Sequence, residues 1–281
     1  MNINRIDHCF NALRVAKRKA FVAYITAGDP DLRTTGKLVC SLEHAGVDIL
    51  ELGVPFSDPL ADGVVNQLAA DRALRSGTTL RGILTMVSHL RRTGCRMPLV
   101  LFTYFNPIHR HGLERFVRDA ARAGVDGVLN LDLPPEESAV YATLMKRVGI
   151  HPIYLIAPTT SSSRMAAIAR LVRGFIYYVS QEGVTGMRKN LAGGINSRIR
   201  EIRRHTRMPI VVGFGISTPQ QVRQAANMAD GCVVGSAIVH RIAEIGRKAS
   251  LVSQINRFVK SLARPLQKKG TRWNRNGKYS T

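Results

Sequence analysis

Apolar runs of strand length alternate with amphipathic segments along most of the chain. The runs predict eight strands, namely Ala20–Thr26, Val47–Leu52, Pro98–Tyr104, Gly127–Leu133, Pro152–Ala157, Gly174–Ser180, Pro209–Gly213 and Gly231–Gly235. Helical periodicity recurs between them, as in residues 80–90, where the apolar side chains lie three or four positions apart. This alternation predicts an α/β fold with a parallel sheet.

A weak internal repeat supports this prediction. The segments AGVDILEL (45–52), AGVDGVLNLDL (123–133) and MADGCVVGSA (228–237) each place a small-residue helix end before a strand. The strands are apolar on both faces, as a parallel sheet covered by helices requires. Eight such units predict a (β/α)8 TIM barrel, with a doubly wound open sheet as the alternative. The amphipathic segment Ile6–Lys17 should close the N-terminal end of the barrel.

Length and composition narrow the class of protein. The 281 residues, 45% of them hydrophobic, can form one large barrel, which we place at residues 1–263, followed by a basic, disordered tail at 264–281. No apolar run reaches the roughly 18 residues that span a bilayer, and the N-terminus lacks the apolar centre of a signal peptide. We therefore expect a cytoplasmic protein without membrane contact. The four cysteines form no CxxC pair and the histidines no HExxH motif, so neither a disulfide framework nor a zinc site is predicted.

The formal charge of +22 is unusual and has two concentrations, residues 198–207 and the tail. Basic chains often bind nucleic acid or anionic membranes. Because most of the charge is dispersed, we interpret it as solvated helix faces and a disordered tail, with RNA or membrane contact as the alternative.

One candidate for chemistry is Glu51, in the stretch ELGVPFSDPLADG (51–63). Strand alternation places Leu50 and Leu52 toward the helices and therefore Glu51 toward the barrel lumen, at the C-terminal mouth where (β/α)8 enzymes act. Burying an unpaired carboxylate is costly, which indicates a task. A Glu paired to a buried Arg or to backbone amides is the alternative.

A second carboxylate, Asp62, follows in a loop stiffened by Pro55 and Pro59. Asp62 either caps the helix that comes next or projects into the same mouth as Glu51. In the second case the two carboxylates could divide acid and base work between them.

Glycine-rich stretches follow the last three predicted strands. They are GVTG (183–186), GFGIS (213–217) and GSA (235–237). In (β/α)8 enzymes the loops after strands seven and eight commonly hold a phosphate through backbone N–H groups, which glycine lets approach. The stretches therefore predict a phosphate site.

Seven motifs occur in the order and spacing of a known family. They are FVAYITAGDPD, ELGVPFSDPLADG, YFNP, DLPPEE, GVTG, GFGIS and GSAIV. Over roughly residues 1–260 the chain resembles the tryptophan synthase α subunit family. The resemblance implies cofactor-free retro-aldol cleavage of indole-3-glycerol phosphate to indole and glyceraldehyde 3-phosphate. It implies that Glu51 is the general acid and base, and that Asp62 bonds the indole N–H and stabilises positive charge there.

The resemblance also implies the other site residues. The indole pocket would be lined by Tyr24, Phe102, Tyr104, Leu129 and Tyr177. The phosphate would be held by Gly186, Phe214, Gly215, Gly235 and Ser236. Thr185 would contact Asp62 when the loop closes as a lid.

The implied partner is a pyridoxal-phosphate-containing β subunit in an α2β2 assembly, which receives the indole. Its contacts would be Asp58, Pro59, Asn106 and Pro134.

The sequence departs from the family pattern at two places. Val64 and Asn66 stand where the family usually has Pro and Ile, and Gln181 stands where it usually has Arg. Both places lie in or beside the closing loops. The two departures are therefore expected to affect loop closure and the coupling of this chain to the β subunit. Two other functions remain as alternatives. The first is another phosphate-binding barrel such as indole-glycerol-phosphate synthase, although the catalytic Lys of that family has no counterpart at a strand end here. The second is a basic RNA-associated protein on an inherited barrel.

Overall fold

Eight parallel strands close into a barrel in chain order. The computed structural model describes residues 4–179, 194–213 and 215–267 in full, and the backbone of residues 189–193, 272–273 and 279–280. The strands are β1 (Ala20–Thr26), β2 (Ile49–Gly53), β3 (Leu99–Thr103), β4 (Gly127–Asn130), β5 (His151–Ile156), β6 (Ile176–Val179), β7 (Ile210–Gly213) and β8 (Gly231–Val234). Because β1 pairs with β8 as well as with β2, the barrel is closed. The predicted (β/α)8 barrel is confirmed, and the open sheet is excluded.

Helices surround the barrel. They are α1 (Arg5–Val15), α2 (Leu32–Ala45), α3 (Val64–Arg75), α4 (Leu80–Arg92), α5 (Phe105–His111), α6 (Leu113–Ala123), α7 (Ala139–Arg147), α8 (Ser162–Leu171), α9 (Lys189–His205), α10 (Pro219–Met228), α11 (Ser236–Ile245) and α12 (Leu251–Ala263). None of the described helices has the length and apolar content that a membrane crossing requires.

Strand alternation separates two packed layers. Leu50 and Leu52 belong to the core between strands and helices, whereas Ile49 belongs to the cluster that fills the lumen. Helix α1 adds apolar residues to that same cluster, and its Phe10 ring lies 5.9 Å from the ring of Phe175. The N-terminal helix therefore closes the bottom of the barrel, as predicted.

The repeat in the sequence has a structural cause at this lower end. Each copy places one aspartate at the start of its strand segment: Asp48, Asp126 and Asp230. Each carboxylate accepts a hydrogen bond of 2.8 to 2.9 Å from a backbone N–H at the start of the neighbouring strand, the N–H groups of Phe21, Leu99 and Ile210 respectively. Each aspartate also has a basic partner, such as Arg91, whose Nη2 lies 2.6 Å from Asp126. The repeated Asp thus joins adjacent strands at the N-terminal end of the barrel.

Several boundaries differ from those we predicted. Strand β2 begins at Ile49, two residues later than predicted, although Asp48 still contacts β1: its N–H donates to the carbonyl oxygen of Phe21 and its carboxylate accepts the N–H of the same residue. Strand β4 ends at Asn130, and the Asp132 carboxylate beyond it accepts the N–H of Phe105 at the start of α5. At the C-terminus, Arg264–Leu266 form a 3-10 helix with Leu266 buried, so packing extends past residue 263.

Farther along the predicted tail, Arg272–Trp273 and Tyr279–Ser280 pair as a two-stranded antiparallel sheet.

Candidate active site

Glu51 lies in β2 with its side chain in the barrel lumen and is fully buried. Among the described residues, neither carboxyl oxygen of Glu51 has a hydrogen-bond partner. Burial raises the pKa of Glu51 to about 8, because the low-polarity surroundings disfavour the charged form. A carboxyl group with this pKa is protonated at neutral pH and can deliver a proton. The alternative in which a buried Arg neutralises Glu51 finds no support in the part of the chain that the structure describes.

Asp62 lies in the loop between β2 and α3 and is half-buried. Its Oδ2 accepts a hydrogen bond of 2.9 Å from the hydroxyl group of Tyr104, which in turn accepts one of 3.0 Å from the N–H of Ala61. Burial raises the pKa of Asp62, while hydrogen bonds from Tyr104 and Asn66 oppose the increase. Helix α3 begins without a side-chain cap, so Asp62 does not have the capping role that was its alternative. The residue is instead tied to the end of β3 through Tyr104.

Tyr24 connects the two carboxyl groups. Burial raises the pKa of its hydroxyl group, and the charges of Asp62 and Glu51 both add to the increase. Both carboxyl groups are therefore near the hydroxyl group of Tyr24. Tyr177, whose pKa is raised by burial and then by Glu51, is near the same carboxyl from β6.

Two glycines at strand ends make room for these tyrosines. A Cβ atom on Gly53 would lie 2.2 Å from the hydroxyl of Tyr24, and one on Gly213 would lie 2.2 Å from the hydroxyl of Tyr177. Real Cβ atoms do not tolerate such distances. Gly213 therefore admits Tyr177, although we predicted it as part of a phosphate loop.

Phe102 and Leu129 complete the apolar wall that the sequence predicted. The ring of Phe102 meets the ring of Tyr24 edge-on at 5.1 Å, and Leu129 is fully buried in the lumen cluster. Phe102, Tyr177 and Asp62 keep partial exposure at the mouth, so the wall stays open at that end. A flat aromatic group would find aromatic contacts there, with carboxyl groups beside it.

The residues predicted for phosphate are described in part. Strands β7 and β8 are neighbours, so the loops that follow them emerge side by side at the mouth. Gly235 precedes the first turn of α11, which has no side-chain cap, and Ser236 is exposed at its first position. Gly215 has the left-handed value φ +36°. Thr185, Gly186 and Phe214, and also Gln181, lie outside the described residues.

Two residues near Asp62 have contacts that the sequence did not predict. Asn66 lies in the first turn of α3, and its side chain opposes the increase that burial causes in the pKa of Asp62. The ring of Phe56 lies 5.3 Å from the ring of Tyr104, tilted by 37°.

The predicted β-subunit contacts lie at the same end of the barrel. Asp58 and Pro59 are in the loop after β2, Asn106 is in α5 after β3, and Pro134 follows β4. Asp58 and Asn106 are exposed. Among the described residues, no three His, Cys, Asp or Glu side chains form a group that could hold a metal ion.

Known proteins resemble this chain over nearly its whole length. The family model described as tryptophan synthase alpha chain matches residues 10–267. The tryptophan synthase alpha chain of Geobacter sp. (strain M21) is 52% identical over 260 residues, which are 92% of this chain and 97% of that protein. The corresponding protein of Pelobacter propionicus is 49% identical, with the same coverage. The crystal structure of tryptophan synthase subunit alpha from Legionella pneumophila str. Paris superposes with a TM-score of 0.87 at 36% identity, covering 94% of this chain and 98% of that one.

Proposed function

The chain belongs to the tryptophan synthase alpha chain family, and on that premise we propose that Glu51 and Asp62 carry out its reaction. The subunit cleaves indole-3-glycerol phosphate to indole and glyceraldehyde 3-phosphate and passes indole to the β subunit for tryptophan synthesis. It is a carbon–carbon lyase without a cofactor of its own, since the pyridoxal phosphate is in the β subunit. The observation that carries the assignment of Glu51 is its burial at the mouth, without a partner among the described residues.

Each carboxyl group has one chemical task. The protonated Glu51 donates its proton to the ring carbon that bears the glycerol chain, which places positive charge on the ring nitrogen. The Asp62 carboxylate, held by Tyr104, bonds the ring N–H and offsets that charge. The carbon–carbon bond then breaks, and its electron pair restores the aromatic ring. Glu51 takes the hydroxyl proton of the glycerol chain, so that the aldehyde forms and the acid is regenerated.

The phosphate group is proposed to bind where the loops after β7 and β8 meet. The uncapped first turn of α11, with Gly235 and Ser236, offers backbone N–H groups to an anion. Gly215, Gly186 and Phe214 complete the proposed set. A Cβ atom at Gly235 would lie 3.3 Å from Tyr24, so Gly235→Val should raise KM for substrate strongly.

The proposed contact with the β subunit is the mouth of the barrel. Asp58, Pro59, Asn106 and Pro134 lie there, around the opening through which indole would leave. We also propose that Thr185 meets Asp62 in the closed state and that the α2β2 assembly acts in the cytoplasm. The support for that location is the biosynthetic task of the family.

Measuring indole release by Glu51→Gln and Asp62→Asn tests the assignment. Each variant should lose about 10²–10⁴-fold in kcat, because the amide keeps the shape but neither transfers the proton nor carries the charge. Both should still bind substrate. Glu244→Gln, an exposed carboxylate on α11, is the matched control and should keep full activity. More than about a tenth of the wild-type rate in Glu51→Gln would refute its role as the acid.

A further inference from the structure

Helix α3 lies across the mouth of the barrel. It begins directly after the loop that carries Asp62, beyond the carboxyl end of β2. At its other end, Arg72 donates to both carboxylate oxygens of Asp29, at 3.0 and 2.7 Å. Ser76, directly after the helix, donates to the carbonyl oxygen of Gly28 at 3.0 Å. Both acceptors follow β1, so the two ends of α3 are held at the carboxyl ends of strands.

The side of α3 that faces the barrel is made of small residues. Its buried side chains are those of Ala69, Ala70 and Ala73. Ala69 belongs to one buried cluster with Tyr24 of β1 and Val239 of α11. The helix therefore packs closely on the mouth, and its opposite side faces away from the barrel.

The outward side of α3 is apolar over its first half. Val64 and Leu68, one turn apart, are 69% and 55% exposed, and Leu60 in the preceding loop is 93% exposed. We call these three residues the outer stripe. Further along the same side of the helix, Asp71 and Arg75 form an exposed ion pair at 3.0 Å. The outward side thus combines an apolar surface with a charged end.

The outer stripe is continuous with the loop that carries the proposed β-subunit contacts Asp58 and Pro59. The side chain of Gln67 donates to the carbonyl oxygens of Asp62 and Pro59, at 2.8 and 3.5 Å, which ties this loop to the first turns of α3. The N–H of Leu60 donates to the carbonyl oxygen of Asp58 at 2.9 Å. A partner that contacts Asp58 and Pro59 therefore also reaches the outer stripe.

The stripe has the character of an interaction surface, and its position identifies the partner. Of the seven large apolar side chains that are exposed in the described part of the chain, three lie within residues 60–68. Apolar side chains grouped on a surface mark contact sites, whereas single ones do not. The subunit passes its indole to the β subunit, so that partner must cover the mouth, across which α3 lies.

We propose that the β subunit buries the outer stripe of α3 under an apolar patch of its own, with the ion pair of Asp71 and Arg75 at the rim. The inference rests on the proposed contact at the mouth and extends it from the loops to a helix. Burial of the stripe adds affinity because it removes apolar surface from water. Val64 stands where the family usually has Pro, so this part of the contact departs from the family pattern.

The affinity of the full-length chain for its β subunit tests the proposal. Val64→Thr combined with Leu68→Gln keeps the approximate size of both side chains and makes them polar. We expect Kd for the β subunit, measured by isothermal titration calorimetry, to rise by about 10–100-fold, because the burial of two apolar side chains is lost. The matched control is Val15→Thr combined with Val148→Gln. These positions are also exposed, but they lie at the N-terminal end of the barrel, and Kd should stay unchanged.

Asp58→Ala separates this inference from the contact on which it rests. If Asp58→Ala raises Kd and the outer-stripe variant does not, the stripe lies outside the interface and the inference is wrong. If neither raises Kd, the proposed contact at the mouth is wrong, and the inference with it. Cleavage by Glu51→Gln tests the lyase chemistry separately.

A second copy of this chain is the other occupant that the experiment can detect. If the outer-stripe variant changes only the self-association of the isolated chain, measured by sedimentation velocity, the stripe joins two copies and the inference is overturned. If the double variant has a lowered melting temperature, Leu68→Gln alone provides the same comparison, with an expected rise in Kd of about 3–10-fold.

Discussion

The two ends of the barrel treat buried carboxyl groups in opposite ways. At the N-terminal end, Asp126 receives the N–H of Leu99 and the guanidinium groups of Arg5 and Arg91, all within 2.6 to 2.9 Å. At the C-terminal mouth, Glu51 is fully buried and receives no hydrogen bond from the residues that the structure describes. Both carboxyl groups are buried. Only Asp126, at the N-terminal end, has hydrogen bonds and positive charges that offset the cost of burying it.

This difference separates stability from function within one fold. The aspartates at the N-terminal end join adjacent strands and pair with the Arg side chains around them. Their negative charge therefore stabilises the fold. The mouth keeps Glu51 in a state that costs folding free energy but leaves a proton available for chemistry. Asp62 is intermediate, because the hydroxyl group of Tyr104 donates to it while burial still raises its pKa above the ordinary value. The comparison predicts that substitutions at the two ends act on different measured quantities.

The largest expected effect is on stability at the bottom. Asp126→Ala removes the acceptor of the Leu99 N–H and leaves the mostly buried Arg91 without its carboxylate. We expect the free energy of unfolding to fall by about 3–5 kcal/mol, as for a broken buried ion pair. Urea unfolding at pH 7 measures this quantity.

Asp71→Asn is the control for that measurement, because its pair with Arg75 is exposed and should contribute at most about 1 kcal/mol. The folded fraction of Asp126→Ala should keep a kcat near that of the wild type. If the kcat of Asp126→Ala fell as far as that of Glu51→Gln, the proposed separation of stability at one end from catalysis at the other would be wrong.

The second expected effect is a gain in stability on substitution at the mouth, and it depends on pH. Folding raises the pKa of Glu51 from its ordinary value near 4.5 to about 8, so its favourable contribution is fully present below 4.5 and is lost as the pH rises through 8. Glu51→Gln cannot titrate. At pH 9 it should therefore be more stable than the wild type by about 4 kcal/mol, relative to their difference at pH 4.5.

Unfolding curves at several pH values decide this point. A constant difference between the wild type and Glu51→Gln across the window would show that the folded protein does not raise the pKa of this carboxyl.

A third effect concerns the rate of cleavage. If protonated Glu51 is the acid, kcat should fall above about pH 8, by about tenfold for each further pH unit. Circular dichroism at each pH separates this loss from unfolding. A kcat that stays level to pH 9.5 would mean that the proton comes from another group.

Much of the barrel was predictable because local signals and tertiary packing agree. The alternation around Glu51 correctly placed Ile49 in the lumen and Leu50 and Leu52 under the helices. Strand ends were harder, since Asp48 and Asp132 use side-chain hydrogen bonds to neighbouring segments where the apolar pattern indicated further strand. Such contacts join distant parts of the chain, which no local window contains.

The environments of the candidate site residues were harder to predict than their positions at the mouth of the barrel. Motifs indicated Glu51 and Asp62 as candidates. Whether each buried carboxyl group has hydrogen-bond donors or positive charges beside it depends on residues that are distant in the sequence. The role of the basic segment 198–207 became clear only in the structure. There Arg198 bonds the carbonyl oxygens of Pro158 and Thr160, and Arg203 pairs with Asp230. Part of the charge that suggested a polyanion partner is therefore used to connect helices to the barrel.

The smallest expected effect tests the intermediate position of Asp62. Tyr104→Phe removes one hydroxyl group, which donates to Asp62 at 2.9 Å and accepts the N–H of Ala61 at 3.0 Å, and leaves the ring that lies beside Phe56. Loss of one donor to a carboxylate should raise the pKa of Asp62 further and weaken the negative charge opposite the ring nitrogen. We expect kcat/KM to fall by about 3–10-fold, corresponding to the roughly 0.5–1.5 kcal/mol of one hydrogen bond. Because the ionised form of Asp62 is the active one, the loss should be greatest at acid pH and diminish as the pH rises. Tyr154→Phe is the matched control: it loses a hydroxyl contact with Ser138, belongs to the core between strands and helices and not to the lumen, and should leave the shape of the pH profile unchanged. A loss in Tyr104→Phe that is equal at all pH values would indicate that the hydroxyl group only holds the loop through Ala61, and that Asp62 keeps its charge without it.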